Sequence, residues 1–184
     1  MSNIDLSPLG TLPNVALKKI TLSYSEEEDR LQVLAAGNDG HAYSFWLTRK
    51  LLKRLVDHLA QKFSPSSNMP DHQRVVDGLM LETKAQSAVQ QYDTQSPPVS
   101  SVKVKETLLI TSVDIAVSDE RVSLGWRSSA TQFLLQMSQD EFFQWLFAVR
   151  STISGADWAM AWPDWIENAD VSHSLERRPS KKVH

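Results

Sequence analysis

Tyr43-Ser44-Phe45-Trp46-Leu47-Thr48 and, 90 positions later, Phe133-Leu134-Leu135-Gln136-Met137-Ser138 read alike position by position. In each, large apolar residues recur every second position, the period of a strand with one face buried, and a hydroxyl residue suited to a helix N-cap closes the run. Trp46 alternates opposite to Phe45 and Leu47. Both stretches run into helical apolar spacing: Leu51, Leu52, Leu55, Val56 and Leu59 between Arg49 and about Lys62, then Phe142, Trp145, Leu146, Val149 and Ile153 in the later one. Ser138-Gln139-Asp140-Glu141 has the form of a capping box, in which the hydroxyl and the carboxylate satisfy amides left free at a helix start.

Upstream of the first stretch, Ile20, Leu22 and Tyr24 alternate into the polar turn Ser25-Glu26-Glu27-Glu28-Asp29-Arg30, and Leu31, Val33 and Ala35 alternate out of it. This is a hairpin signal, and Gly37-Asn38-Asp39-Gly40 supplies a second turn. Upstream of the later stretch the same series recurs: Val113, Ile115, Val117, the turn Ser118-Asp119-Glu120-Arg121, then Val122, Leu124 and Trp126. The offset falls from 93 (Leu22 to Ile115) to 91 (Val33 to Leu124) to 90 (Leu47 to Met137), as expected if only turns changed length. The sequence therefore predicts an α+β fold of two tandem βββα units. Each antiparallel meander would be packed by its helix, the pair related by approximate internal two-fold symmetry.

The remaining segments divide accordingly. Residues 1–14 precede the first unit (15–64); residues 65–101 form a linker with a helix at about 70–92, begun by Pro70 and carrying Val75, Val76, Leu79, Met80, Ala85, Ala88, Val89 and Tyr92. That stripe, interrupted by Gly78, predicts a linking helix packed on one side. The second unit covers 102–155, a Trp-rich segment 156–170, and a basic tail 171–184 reads as disordered.

The chemistry implied is sparse. The chain of 184 residues has no cysteine, which excludes disulfides, thiol nucleophiles and thiolate metal sites. Its five histidines lie without metal-ligand spacing, and six glycines form no phosphate loop. The acidic turn Glu26 to Asp29 lacks the ligand spacing and glycine of a calcium loop and reads as a solvated hairpin tip. No metal, no cofactor and no catalytic residue are expected, and the chain is not expected to be an enzyme. No apolar run approaches a membrane span, and residues 1–8 have neither a basic nor an apolar leader pattern, so no membrane contact and a cytoplasmic location are expected.

Two features point to binding. Trp158, Trp162 and Trp165 lie within eight residues at a spacing of four and three, and tryptophan is favoured at the centre of protein interfaces. These three are the candidate partner-binding residues, expected on a partner-facing or edge-covering surface. Arg49, Lys50, Lys53 and Arg54 crowd a helix start, where the macrodipole disfavours cations, and with Trp46 they form a candidate anion or nucleic-acid contact. The function expected first is a non-catalytic protein-interaction or assembly module whose partner is another protein. The alternative is a single-stranded nucleic-acid-binding protein using strand aromatics and the basic helix start. With 19 Lys and Arg against 22 Asp and Glu, the net charge of −3 disfavours the alternative.

Overall fold

In the computed structural model β1 (Asn14–Ser25), β2 (Arg30–Gly37) and β3 (Ala42–Thr48) form an antiparallel meander that continues into α1 (Arg49–Phe63). After α2 (Asp71–Gln90) and the short β4 (Thr107–Leu109), a second antiparallel meander follows. It comprises β5 (Ser112–Val117), β6 (Arg121–Arg127) and β7 (Gln132–Ser138), and it leads into α3 (Gln139–Thr152) and α4 (Asp164–Glu167). The structure describes residues 14–63, 68–91, 97–99, 104, 107–118 and 120–169. Residues 1–13, Tyr92 of the expected linking-helix stripe and the tail 171–184 lie outside the described residues. The fold is mixed α+β, with one seven-stranded sheet and four helices among the described residues.

Helix starts follow from the residues that close the strands. The Leu51 amide donates to Thr48 Oγ1 at 3.2 Å. At α3 the Glu141 amide donates to Ser138 Oγ (3.2 Å) while the Ser138 amide donates to Glu141 Oε2 (2.7 Å), so two otherwise free donors are satisfied reciprocally. At the first hairpin tip Asp29 takes a left-handed φ of 48°, and Gly40 supplies a φ of 81° in the second turn.

The strand order is β4-β3-β2-β1-β7-β6-β5. Two parallel pairings join the meanders: Asn14–Leu17 of β1 with Gln132–Leu135 of β7, and Ser44–Trp46 of β3 with Thr107–Leu109 of β4. The two ends of that order, β4 and β5, are separated in sequence only by Ile110 and Thr111. The sheet therefore curls so that its two ends come together at this joint, where the Ile110 amide donates to Trp46 O of β3 (3.1 Å) and the Thr111 amide to Arg127 O of β6 (2.9 Å). Both parallel pairings are short, and helices fill the space beyond them, α3 packing against β1, β6 and β7 and α1 against β3 and β5.

One strand face supplies the core. Val15 and Leu17 occupy odd positions of β1, but Ile20, Leu22 and Tyr24 occupy even ones, and a shift of one would send half of them to solvent. The register shift between Leu17 and Lys19 absorbs the extra residue, so all five side chains pack on the same core. Phe45 lies between the meanders, its ring 4.9 Å from Trp126 and 5.1 Å from Phe133. Each helix packs on its own meander and also on a strand of the other, α1 on β5 and α3 on β1, so both halves contribute to one continuous core. Phe63 of α1 stacks on Phe142 of α3 at 5.6 Å, so the helices too meet across the halves.

Candidate functional site

Helix α2 lies where the sequence places a linking helix at about 70–92. Its second half is docked: Ala85 and Ala88 are buried, the helix packs against α3 and α4, Gln144 Nε2 donates to Ala88 O (2.9 Å), and Gln86 Nε2 donates to Asn168 O (3.3 Å). The small side chains at 85 and 88 let the α2 backbone approach its neighbours closely. Its first half is different. Val75, Val76, Leu79 and Met80 are 61%, 47%, 59% and 57% exposed, and Met69, just before the helix, is 40% exposed. Of the large apolar side chains exposed among the described residues, all but Leu109 belong to this group. At 100° per residue the four helical members form one stripe, roughly half a turn away from Ala85 and Ala88. Polar partners flank it without covering it: Arg74 pairs with Asp71, and Gln73 Nε2 donates to Asp77 Oδ1 at 2.8 Å.

The tryptophans at 158, 162 and 165 have a different setting. Trp158 and Trp165 are each 8% exposed, and Trp162 packs half-buried against the same core. Trp165 meets Phe63 (5.6 Å) and Phe143 (5.5 Å). Trp158 stands edge-on to Tyr24 at 5.6 Å, and its Nε1 donates to Asp29 Oδ1 at 2.6 Å; the Tyr24 hydroxyl donates to the same oxygen at 2.7 Å. Those two hydrogen bonds, that of Trp158 first, hold the Asp29 carboxyl below its ordinary range, and donation to Asp29 raises the Tyr24 phenol. Trp158 and Trp165 are turned into the chain's own core, Trp158 against the tip of the first hairpin and Trp165 between α1 and α3, and neither lies on β4 or β5 at the ends of the sheet. Asp29, read from sequence only as part of a solvated tip, is the residue that ties the segment to the first hairpin.

At the start of α1, Lys50, Lys53 and Arg54 are exposed, as is Arg49, whose guanidinium donates to Asp157 O at 3.5 Å. Lys53 faces Asp57 at 3.4 Å. Trp46 lies half-buried on the outer strand face beside Gln32, its register partner, whereas Phe45 and Leu47 point into the core. The structure thus brings Trp46 and the four cations to one end of β3 without assembling them around a cavity.

A groove of about 560 Å³ lies between β1, β7 and α3, with the bulge residue Lys18 in its lining. Its floor is apolar, with Leu22, Leu135, Met137 and Trp145, and its rim carries Lys19 and Glu141. At the second turn, Asp39 accepts from the Tyr43 hydroxyl (2.6 Å) and the His41 amide (3.1 Å). The carboxyl is held below its ordinary range by Tyr43 first, and the Tyr43 phenol is pushed up to about 12 by donating to it, with burial adding to the shift. This brace fixes a turn. No cluster of His, Asp or Glu among the described residues is arranged to hold a metal ion. No helix among them is long and apolar enough to cross a membrane. Comparison with protein-family models, curated proteins and solved structures found no match to this chain.

Proposed function

We propose that the chain is a non-catalytic protein-interaction or assembly module and that it meets its partner through the first half of α2. The observation that carries this reading is the stripe Val75, Val76, Leu79 and Met80, apolar and open on a helix whose other half is docked. A contiguous exposed apolar patch on a folded domain marks a contact surface, because leaving it in water forgoes about 25 cal/mol for each Å² that a partner would cover. Such a stripe suits a partner that offers an apolar helix face or groove of its own. Trp162, half-buried, is the one ring of the three tryptophans with a substantial open side.

The finer architectural reading belongs with this proposal. We infer that the scaffold arose from two βββα units related by an approximate two-fold. In its support, each meander is followed by a capped helix, and β1 pairs with β7 as β4 pairs with β3, each time in parallel and over three or four residues. Superposing 20–62 on 113–153 should bring Thr48 onto Ser138; unequal strand orders in that superposition would end the idea.

The test of the interaction surface uses a photo-crosslinking residue at position 79 in extract of the source cells. One defined protein should be captured, and capture should be lost on Val76→Glu while the melting temperature stays within the range typical of surface changes. Capture unaffected by Val76→Glu would refute the surface. Should fluorescent oligonucleotides instead bind with a steep salt dependence that Lys50→Glu and Lys53→Glu abolish, the nucleic-acid reading at Trp46, Arg49, Lys50, Lys53 and Arg54 would replace it.

A further inference from the structure

The parallel pairing of β1 with β7 stops at Leu17 and Leu135. From Lys19 to Ser25, β1 keeps β2 on one side, and among the described residues its other edge, facing α3, has no strand partner. An open strand edge is a template for an extended chain, and a helix cannot satisfy it, since a helix uses its backbone groups internally. Beside this edge lies the groove floored by Leu22, Leu135, Met137 and Trp145.

Part of the chain is already seated there. Lys19 Nζ donates to Pro97 O, and the Val99 amide donates to Thr21 Oγ1 at 2.8 Å. The two contacts are two residues apart on β1 and two residues apart, in the same direction, on the segment. Equal spacing fits an extended segment running alongside the strand, since a strand rises about 3.3 Å per residue and a polyproline helix about 3.1 Å. Pro97 and Pro98 have no amide hydrogen, so an ordinary ladder cannot form, and the Lys19 and Thr21 side chains make the contacts in its place. The prolines line one wall of the groove while the volume over its apolar floor stays open.

We infer that this groove is a docking site for an extended, proline-bearing peptide, which Pro97–Val99 occupies in cis. The site is separate from the α2 stripe and stands or falls independently of it. A peptide in trans gains what the cis segment leaves unfilled: apolar side chains reach Met137 and Trp145 while its carbonyl and amide take the positions of Pro97 O and Val99 N. Being part of the same chain, the seated segment competes with such a peptide, so the site is held closed to weak ligands and opens to stronger ones.

The test titrates a fluorescent synthetic peptide with the sequence of residues 95–103 into the full chain and into the variant Pro97→Gly/Pro98→Gly/Val99→Gly. The variant should bind at least tenfold more tightly than the unchanged chain, and adding Thr21→Val with Lys19→Ala should return the anisotropy to baseline. A folded triple-glycine variant that does not bind, or binding indifferent to Lys19 and Thr21, would overturn the proposal. If the variant does not fold, the same peptide at millimolar concentration is added to the unchanged, isotopically labelled chain. Shifts at the Thr21 amide and Trp145 indole support the site, and their absence overturns it.

Discussion

Replacing Phe45 tests whether the two meanders share one core. The ring is fully buried on β3, yet its aromatic neighbours, Trp126 at 4.9 Å and Phe133 at 5.1 Å, belong to β6 and β7. Deleting a buried aromatic costs about 3–5 kcal/mol, and at about 2–4 °C per kcal/mol for a chain of this size Phe45→Ala should lower Tm by roughly 10 °C. The diagnostic quantity is the coupling. In a double-mutant cycle of Phe45→Leu with Trp126→Leu, apolar volume is largely retained while the ring contact goes. Direct contact predicts a coupling of about 0.5–1.5 kcal/mol, the contribution of an aromatic pair beyond burial. Urea unfolding followed by far-ultraviolet circular dichroism and tryptophan fluorescence should show one transition for all four proteins. Additive single and double changes, or two separated transitions, would refute the shared core.

Three further outcomes follow from local geometry. Gly37→Ala should destabilise by about 1–3 kcal/mol in thermal denaturation, because an added Cβ would lie 2.9 Å from Tyr43 Cε2 and press on Asp39. The Tyr43 phenol is raised to about 12 in the folded chain, so its stabilising bond to Asp39 is complete below the ordinary phenol value near 10 and lost as pH rises from about 10 to 12. Tm measured across that window should fall more steeply in the unchanged protein than in Tyr43→Phe. Asp29 has the opposite sign: its lowered value gives stability that is present above the ordinary carboxylate range and lost as pH falls through the folded value, and Trp158→Phe should shrink that acid loss.

What the sequence made legible was local. Strand alternation, the acidic hairpin tip, the Thr48 cap and the Ser138–Glu141 box all rest on residues a few positions apart, whose geometry does not depend on the rest of the chain. The joins between the meanders rest on residues some 60 to 120 positions apart, and each is only three or four residues long. Thr107–Leu109 is too short to show a period, and the bulge at Lys18 appears in the sequence only as a change of phase between Val15, Leu17 and Ile20, Leu22. That change of phase was the available signal that β1 turns away from one neighbour.

The apolar faces of α2 and of the C-terminal segment show why the rest was not legible. Periodicity reports that a side of a helix is apolar; it does not report what covers that side. The stripe of α2 and the tryptophans of the C-terminal segment carry the same message in sequence, yet Trp158 finds Asp29 and Tyr24, Trp165 finds Phe63 and Phe143, and Leu79 stays open. The difference lies in α2 itself. The stripe of Val75, Val76, Leu79 and Met80 and the pair Ala85 and Ala88 face opposite ways, and one rigid helix cannot turn both toward the same neighbours. Because α3 and α4 pack on the small residues, where backbones approach most closely, the larger side chains are held outward. Enlarging the docked side, as in Ala88→Leu, would push α2 away from α3 and cost stability by overpacking, while Leu79→Glu on the open side should leave folding almost unchanged. A Leu79→Glu variant as destabilised as Ala88→Leu would mean that the stripe is covered within the chain and carries no partner.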